Sequence, residues 1–335
     1  MKKIFIFLLG LFFVSVQTFA DTRAQALLLH NGQGKSFDAD QLQQAINEAV
    51  SGDTICLSEG TFDTNSALTI DKAIAIVGTG QTTKVRGDIN IAIDGAPKVT
   101  IYMLDAMRIT GDVIVTKEQH GLKIRKCWIG GYLYSTETLT DLQVDRCYVL
   151  SFVPLPSVKS ALFMNSIFFY IGEYNSKKVC NSTGNELTFY NCNIGQLNCV
   201  QGKLQDMTFV NSILANYYSY IGKGNNTLIN CLSKYELTTY YGDNIVNCYI
   251  NSLLGTKNDD SYNNFFPTFN INSEVLTEEL LTKNNYIGND GTVVGVMGGT
   301  NPYTLTPDGI SIKESVLRVD PETRKLNVTL KVASE

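Results

Sequence analysis

Histidine, proline and positive charge are scarce in this sequence, and the shortages of histidine and of positive charge each argue against a class of function. The 335 residues include two histidines, seven prolines, and 27 lysines and arginines against 32 acidic residues. His30 and His120 have no serine or cysteine nucleophile in a recognisable sequence context, so a catalytic triad is not indicated. The acidic balance argues against nucleic acid as a partner, because phosphate binding depends on a basic patch.

Long apolar runs are also missing, except at the start of the chain. Lys2 and Lys3 precede an apolar stretch, 4–16, and residues 18–20 have the small-x-small pattern of a cleavage site. The stretch is about 13 residues long, which is too short to span a bilayer. We predict that residues 1–20 are a cleaved signal peptide. The protein is then exported (periplasmic, cell-surface or extracellular), with no transmembrane segment after cleavage.

The sequence does contain a repeat of about 20 residues. Its anchor residues, spaced by 20, 19, 26, 20, 19 and 17, are Cys127, Cys147, Ser166, Cys192, Ser212, Cys231 and Cys248. The residues just before them are Lys126, Arg146, Asn165, Asn191, Asn211, Asn230 and Asn247. Counting back by 20 reaches Met107 in a matching context. A period of this length indicates stacked coils of a solenoid.

The apolar pattern around each anchor predicts a bend. Apolar residues lie five and three positions before the anchor and two positions after it. On one straight strand the first two would face the side opposite to the third, because successive side chains alternate between the two faces. All of them face inward only if the chain turns at the residue before the anchor. Asparagine tolerates the left-handed conformation of such a corner. Stacked about 4.8 Å apart, its amides are expected to bond as a ladder.

Two solenoid classes fit a period of 20 to 29 residues. A leucine-rich repeat also carries an asparagine, but it needs spaced leucines and a helical segment. Here strand formers and tyrosines follow each anchor. The sequence therefore favours an all-β protein, a right-handed parallel β-helix of about ten coils.

The segment before the repeat carries a family resemblance. Leu42, Ala45, Ile46, Ala49 and Val50 form one helical stripe, so a cap helix is predicted over 38–51. The segments GDTICLSEGTF (52–62) and AIAIVGTG (73–80) follow. This arrangement resembles the capped start of pectin-lyase-like right-handed β-helices of exported bacterial proteins, over residues 35–255. The resemblance is specific for fold and says little about activity.

The end of the chain differs from the repeat. Residues 289–299 look like a closing coil, which would end the β-helix domain, 21–300. Residues 316–332 alternate around a turn at Asp320-Pro321 and predict a β-hairpin. The tail, 301–335, then caps the far end or pairs with another element, and a sorting tail for export is the alternative.

Eight cysteines in an exported chain would ordinarily suggest disulfides. Five occupy the anchor column, where buried thiols filling a narrow core are expected. Adjacent anchors, such as Cys231 and Cys248, nevertheless meet the Cα distance limit for a bridge. Cys180 and Cys199 lie off this column and are expected to be exposed or paired. No Cys-x-x-Cys pair supplies a metal-ligand spacing, so no metal or other cofactor is predicted.

A charge ladder is the first candidate site. Two positions before the anchors, successive coils carry Asp105, Arg125 and Asp145, flanked by Lys123 and Lys126 among other charges. The family resemblance implies that lyases of this fold use a basic residue against a sugar acid, with acidic residues and often calcium. Calcium is expected only in that case. The alternative is a cross-coil ion-pair ladder.

Aromatic residues are the second candidate, because flat rings stack on sugars. The tyrosines predicted to bind follow the anchors; they are Tyr132, Tyr134, Tyr217, Tyr218, Tyr220, Tyr240 and Tyr241. Core packing is the alternative for each of them. A third candidate is the insertion near 172–184, where one coil is six residues longer than its neighbours.

Three functions remain open on this evidence. The first is binding of a polysaccharide or cell-surface glycan without catalysis, which the tyrosines and the few acid–base residues favour. The second is a polysaccharide lyase acting on uronic-acid polymers through Asp105, Arg125 and Asp145. The third is a structural or adhesive surface protein whose repeat is its function. Whether the chain is an enzyme is left open by the sequence.

Overall fold

The computed structural model describes ten stretches of the chain. They are residues 24–64, 66–95, 98–172, 180–198, 202–216, 223–233, 243–250, 278–305, 310–319 and 326–334. The predicted signal peptide, 1–20, lies outside the described residues. So do 173–179 of the predicted insertion, together with Cys199.

A small cap closes the N-terminal end of the solenoid. Strands β1 (Gln25–His30) and β2 (Gln33–Asp38) form a hairpin, and β1 also pairs antiparallel with β3 (Thr54–Leu57). A 3₁₀ turn, Ala39–Gln41, leads into helix α1, Leu42–Glu48, which buries Leu42, Ala45 and Ile46. The cap helix predicted over 38–51 is therefore present but shorter, and Val50 beyond it is 49% exposed. The antiparallel strand covers an end that would otherwise expose unpaired backbone.

Beyond the cap, parallel strands stack coil upon coil. The pre-corner sheet consists of β3, the start of β6 (Ala75–Arg86), β8 (Tyr102–Ile109), β11 (Lys123–Arg125), β14 (Leu142–Asp145), β16 (Ser160–Met164), β19 (Glu186–Tyr190), β22 (Met207–Val210), β25 (Thr227–Ile229) and β27 (Asn244–Val246).

The post-corner sheet consists of β4 (Gly60–Asp63), the end of β6, the end of β8, β12 (Trp128–Ser135), β15 (Tyr148–Phe152), β17 (Ile167–Gly172), β20 (Asn193–Asn198), β23 (Ile213–Asn216), β26 (Leu232–Ser233) and β28 (Tyr249–Ile250).

Shorter strands make the remaining side of each coil. They are β5 (Leu68–Ile70), β7 (Ile89–Ile91), β9 (Val113–Val115), β10 (Gln119–His120), β13 (Leu139–Thr140), β18 (Cys180–Asn181), β21 (Gly202–Gln205) and β24 (Lys223–Gly224). The fold is therefore the all-β parallel β-helix that the repeat predicts, consistent with right-handed winding. Each long sheet is ten strands deep, and the described residues complete about eight turns, somewhat fewer than the predicted ten.

The predicted corner is present in every described coil of the repeat. The residue before each anchor is left-handed: φ is 52° at Ala106, Lys126, Arg146 and Asn191, 45° at Asn165, 49° at Asn211, 50° at Asn230 and 51° at Asn247. Five of these eight residues are asparagine, the residue that adopts this region at least cost after glycine. The parity change in the sequence therefore located the bend correctly.

The anchor column does more than fill the core. The corner removes the anchor's N–H from the strand ladder, and the side chain of the next coil's anchor accepts it. Cys127 N donates to Cys147 Sγ at 3.4 Å, and Cys147 N donates to Ser166 Oγ at 3.0 Å. The same hydroxyl then donates to the carbonyl of Met164 at 2.7 Å. A buried backbone group thus keeps a partner, which explains why the column consists of cysteine and serine rather than alanine.

The interior between the sheets is apolar and close-packed. Three phenylalanines three residues before their anchors stack along the axis: Phe163 on Phe189 at 4.4 Å between ring centroids, and Phe189 on Phe209 at 5.0 Å. Phe152 and Phe168 pack against this stack from the post-corner sheet. Each of these rings is fully buried. Aromatic stacking in register stabilises the fold beyond the burial of apolar surface, and it fixes the alignment of successive coils along the axis.

Residues 286–305, the return segment, run along the outside of the β-helix. Helix α2, Glu278–Lys283, precedes the segment. Val293, Val294 and Val296 of the return segment pack on the outward residues of the post-corner sheet, among them Trp128 and Ile213. The prediction that 289–299 forms a closing coil is therefore wrong. The segment lies against the side of the solenoid, because the residues that directly follow the anchors face outward and are mostly apolar, and burying them removes this apolar surface from water.

The asparagines of the corners hold the return segment. Asn165 Nδ2 donates to Gly298 O at 2.7 Å, and Asn211 Nδ2 donates to Asn289 Oδ1 at 2.9 Å. Asn289 N donates back to Asn211 Oδ1 at 3.1 Å. The side-chain bonds of these buried amides thus go to the return segment instead of forming the predicted ladder between coils. A side chain at Gly299, where φ is 75°, would collide with the Asn191 amide.

The C-terminal strands form the hairpin that the sequence predicts. β29 (Ile310–Val319) and β30 (Leu326–Ser334) pair antiparallel, from Ile310 opposite Ser334 to Val319 opposite Leu326. Within the stretches that the structure describes, no helix has the length and apolar character needed to cross a bilayer.

The left-handed corner predicts that glycine gives a more stable protein than alanine at this position, the reverse of the order expected on a strand. At Asn230, glycine should be more stable than alanine by about 1 kcal/mol, because alanine is disfavoured in the left-handed region. At Ala161, a buried position in β16, glycine should instead be less stable by about 1 kcal/mol. Chemical denaturation of Asn230→Ala, Asn230→Gly and Ala161→Gly measures both differences. Equal stability of the two variants at 230 would contradict the corner assignment.

A second prediction concerns the hold on the return segment. Asn211→Gly keeps the left-handed corner but removes the bonds to Asn289. Amide hydrogen exchange in residues 289–296 should then accelerate about tenfold, the loss expected for one net buried hydrogen bond. Asn230→Gly is the matched control, because its side chain has no recorded bond to this segment. Equal protection in both variants would show that apolar packing alone holds the segment.

Candidate functional site

Three parallel strands bring the predicted charge ladder together. In the ladder register, Arg125 of β11 lies between Asp105 of β8 and Asp145 of β14. The parallel pairing fixes this order, because side chains in register on neighbouring coils lie about 4.8 Å apart. The structure thus places the three residues on one outward-facing column of the pre-corner sheet.

Ion pairs neutralise both carboxylates of this column. Arg125 binds Asp105 with two nitrogens: Nε is 3.2 Å from Oδ1, and Nη2 contacts Oδ2. Arg146 Nε and Nη2 lie 3.0 and 2.8 Å from Asp145 Oδ2. Both aspartate side chains are 9% exposed. The sequence placed these acids on an open surface, whereas the arginines cover them, and paired charges of this kind resemble the cross-coil ladder that was the alternative.

A tyrosine extends the cluster toward the N-terminal coils. The Arg125 guanidinium lies 4.4 Å from the ring centroid of Tyr102, and Lys123 Nζ lies 5.9 Å from it. Burial, reinforced by the negative charge of Asp145, raises the pKa of Tyr102. Its hydroxyl is therefore a neutral hydrogen-bonding group, and the cations over its ring are cation–π contacts.

A groove crosses the coils beside this cluster. Its volume is about 500 Å³, and its polar lining comprises Lys98, Thr100, Lys123, Asp141, Gln143, Ser160, Glu186 and Thr188. These residues come from five successive coils, so the groove spans four steps of about 4.8 Å, or roughly 19 Å. Asp105, Arg125 and Asp145 lie beside it, at most about 7 Å further along the strands. The groove is long and open, and these polar groups stand among apolar lining residues such as Val99, Leu142 and Leu162.

Second corners shape one edge of the groove. Gly121 and Asp141, with φ of 78° and 54°, turn the chain into the pre-corner strands. Asp141 N donates to Ser160 Oγ at 2.7 Å, and that hydroxyl donates back to Asp141 Oδ1 at 3.3 Å. This pair orients one carboxylate and one hydroxyl at the groove edge. The remaining side chains offer ammonium, amide and hydroxyl groups to a ligand.

The predicted tyrosine strip is described only in part. Tyr132 and Tyr134 are half-buried and pack against the main core, and Tyr132 N donates to Asp112 Oδ1 at 2.8 Å. Burial, with the charges of Asp112 and Asp88, raises the pKa of Tyr134. The remaining members of the strip, Tyr217, Tyr218, Tyr220, Tyr240 and Tyr241, lie outside the described residues.

Other polar residues have local partners. His30 Nδ1 lies 2.8 Å from Asp53 Oδ1, and His120 Nδ1 lies 2.5 Å from Thr140 Oγ1. Cys180, on β18 beside β21, is fully buried, so the exposed alternative is wrong for it; pairing with Cys199 stays a prediction, because Cys199 lies outside the described residues. Among the described residues, no cluster of three or more His, Cys, Asp or Glu side chains has a metal-binding arrangement.

The sequence reasoning missed most of the groove. Ser160, Glu186 and Thr188 stand six and four residues before their anchors, and these two positions are polar in several coils. A search along those columns would have found them. Lys98 lies nine residues before Met107, outside the columns that the repeat defines, and its place beside His120 became visible only through the bridge that pairs them.

The fold and the groove are the available evidence for function. Comparisons with family models, with curated proteins and with solved structures find no match to this chain.

The buried ion pair leads to a stability prediction. Arg125→Met leaves Asp105 buried without its main partner and should lower the free energy of unfolding by about 2 kcal/mol. A second change, Asp105→Asn, should restore part of this loss, giving a coupling energy of about 1 kcal/mol in a double-mutant cycle. Arg86→Met is the matched control, because its pair with Asp63 is exposed and contributes little. A coupling energy near zero would contradict this assignment of the pair.

Proposed function

We propose that the protein is an exported β-helix that binds an extended glycan in the groove, without catalysis. The observation that carries this proposal is the groove lining: ammonium, carboxylate, amide and hydroxyl groups repeat across five coils. A sugar polymer presents hydroxyl groups at regular intervals, which suits a surface that repeats its own donors and acceptors. The export rests on the signal peptide predicted from the sequence.

The charges of the groove support binding of a polar ligand. Lys98 and Lys123 lie toward the N-terminal coils, while Asp141 and Glu186 lie further along. None of these four has a recorded ion-pair partner among the described side chains, so each is able to form a charge-assisted hydrogen bond with a ligand. Tyr102 beside Lys123 supplies an aromatic surface at this end.

The charge ladder supports binding over lyase chemistry. A lyase requires a base able to remove a proton and a positive site for the substrate carboxylate. Asp105 and Arg125 neutralise each other, as do Asp145 and Arg146. A substrate carboxylate would have to displace an aspartate from either arginine. The glycan-binding proposal needs no such exchange.

A binding experiment tests the proposal. The purified protein is screened on a glycan array, and affinity for any retained glycan is then measured by calorimetry. Lys123→Ala and Glu186→Ala should each weaken binding about tenfold, the loss expected for one charge-assisted bond. Lys203→Ala and Glu137→Ala are matched controls, because these exposed residues do not line the groove.

Three outcomes would contradict the proposal. Unsaturated products from a panel of uronic-acid polymers, followed by absorbance with and without calcium, would show that the protein is a lyase. Absence of both products and glycan retention would favour a structural or adhesive role. Binding that is unchanged in Lys123→Ala and Glu186→Ala would place the glycan elsewhere on the molecule.

A further inference from the structure

Two anchor cysteines lie side by side on adjacent coils near the end of the described β-helix. Asn230 and Asn247 are equivalent corners, and Leu232 pairs in register with Tyr249, so Cys231 and Cys248 are in-register neighbours. Tyr249 N donates to Cys231 O at 2.8 Å, which fixes the two coils against each other at this point. Both side chains face inward and pack in the apolar interior.

Cys248 differs from the other anchor thiols, including its neighbour Cys231, in exposure. Cys127, Cys147 and Cys192 are fully buried, whereas Cys248 is partly exposed. The backbone does not distinguish the members of the pair. Cys231 Sγ lies 3.4 Å from Phe209 O and 3.5 Å from Ile229 O, and Cys248 Sγ lies 3.5 Å from Leu228 O and Val246 O. Solvent access to one sulfur is therefore the main geometric difference.

The pKa values of the anchor thiols also separate Cys248 from the buried anchors. Burial raises the pKa of the Cys192 thiol to about 12, and burial likewise raises the pKa of Cys147. The hydrogen bond from the Cys231 thiol lowers the pKa of Cys248 to about 7, against the opposing effect of burial. The only titratable group that faces Cys248 among the described residues is Cys231. Cys248 is thus the one anchor with substantial thiolate at neutral pH.

The spacing of the coils permits a bond between the two sulfurs. Adjacent coils lie about 4.8 Å apart, within the Cα separations of disulfides. Parallel side chains hold the two Cβ atoms at about the same separation, slightly beyond the usual Cβ distance in disulfides. Such a bond carries strain and is more easily reduced than a relaxed structural disulfide. The geometry suits a reversible bond.

We propose that Cys231 and Cys248 form a redox-active pair that reacts with external disulfides. The Cys248 thiolate attacks one sulfur of the external disulfide, forming a mixed disulfide and releasing one thiolate. The Cys231 thiol then gives its proton to the external thiolate released in the first step and attacks the Cys248 sulfur. This second step releases the other external thiolate and leaves the Cys231–Cys248 disulfide. Two protein thiols are oxidised and one external disulfide is reduced to two thiols.

The test uses the folded wild-type protein with oxidised glutathione as the external disulfide. After acid quenching, free thiols are alkylated and peptides are identified by mass spectrometry. A linked Cys231–Cys248 peptide should accumulate and disappear on addition of dithiothreitol. Cys127 and Cys147 are the internal control: they are also adjacent anchors, but both are buried and should remain unlinked. This comparison needs no variant.

Variants separate the two steps. Cys231→Ser should retain a glutathione adduct on Cys248, because the second thiol is missing, whereas Cys248→Ser should form neither adduct nor bond. Serine already occupies this position at Ser166 and Ser212, so both variants are expected to fold. Cys147→Ser is the matched control and should behave as wild type.

Reaction rates provide an independent check. Alkylation of Cys248 should be on the order of a hundredfold faster than that of Cys192 at neutral pH, and its rate should rise between about pH 6 and 8 as the thiol ionises. Alkylation of Cys248 no faster than Cys192 would overturn the proposal. So would a wild-type adduct on Cys248 that never resolves into the linked peptide.

Discussion

The left-handed corner before each anchor is the constraint on which the rest of the structure depends. A corner of one residue keeps the coil narrow, but it requires a conformation that costs about 1–2 kcal/mol for ordinary residues. It also turns the anchor's N–H away from the strand ladder. Asparagine reduces the first cost, and the Cys147 and Ser166 side chains remove the second by accepting the N–H of the coil before. Backbone conformation therefore selects the asparagine of the repeat, and backbone hydrogen bonding selects its cysteine or serine.

The corner also divides the outer surface into two faces, one exposed to solvent and one covered by the return segment. Before it, the outward columns are polar, and they carry the groove and the paired charges around Arg125. After it, the outward residues are apolar, as at Trp128 and Ile213, and the return segment covers them. The asparagines at the boundary hold that segment in place. One face thus stays open to solvent, while the return segment covers the other.

The sequence predicted the features that repeat with every coil, namely the corner and the columns of equivalent residues. Parity around Cys127 located the corner, and the shared offset of Asp105, Arg125 and Asp145 placed them on one column. It did not reveal the return segment, because Asn165 and Gly298 lie 133 residues apart and no local pattern links them. Nor did it reveal that Arg146 would cover Asp145, since adjacent residues on a strand ordinarily face opposite sides. The left-handed corner at Arg146 breaks that rule.

The bonds of the return segment change how neighbouring coils depend on one another. In a simple solenoid each coil contacts only the coils beside it, so opening at one point spreads by nearest-neighbour steps. The return segment bonds to Asn165, Asn191 and Asn211, which belong to three successive coils. None of the three can separate from the others without releasing contacts to the same strip of chain. The segment also packs on Trp128 of an earlier coil, so the cooperative unit contains at least these three coils, while the coils before Trp128 retain one-dimensional, stepwise behaviour.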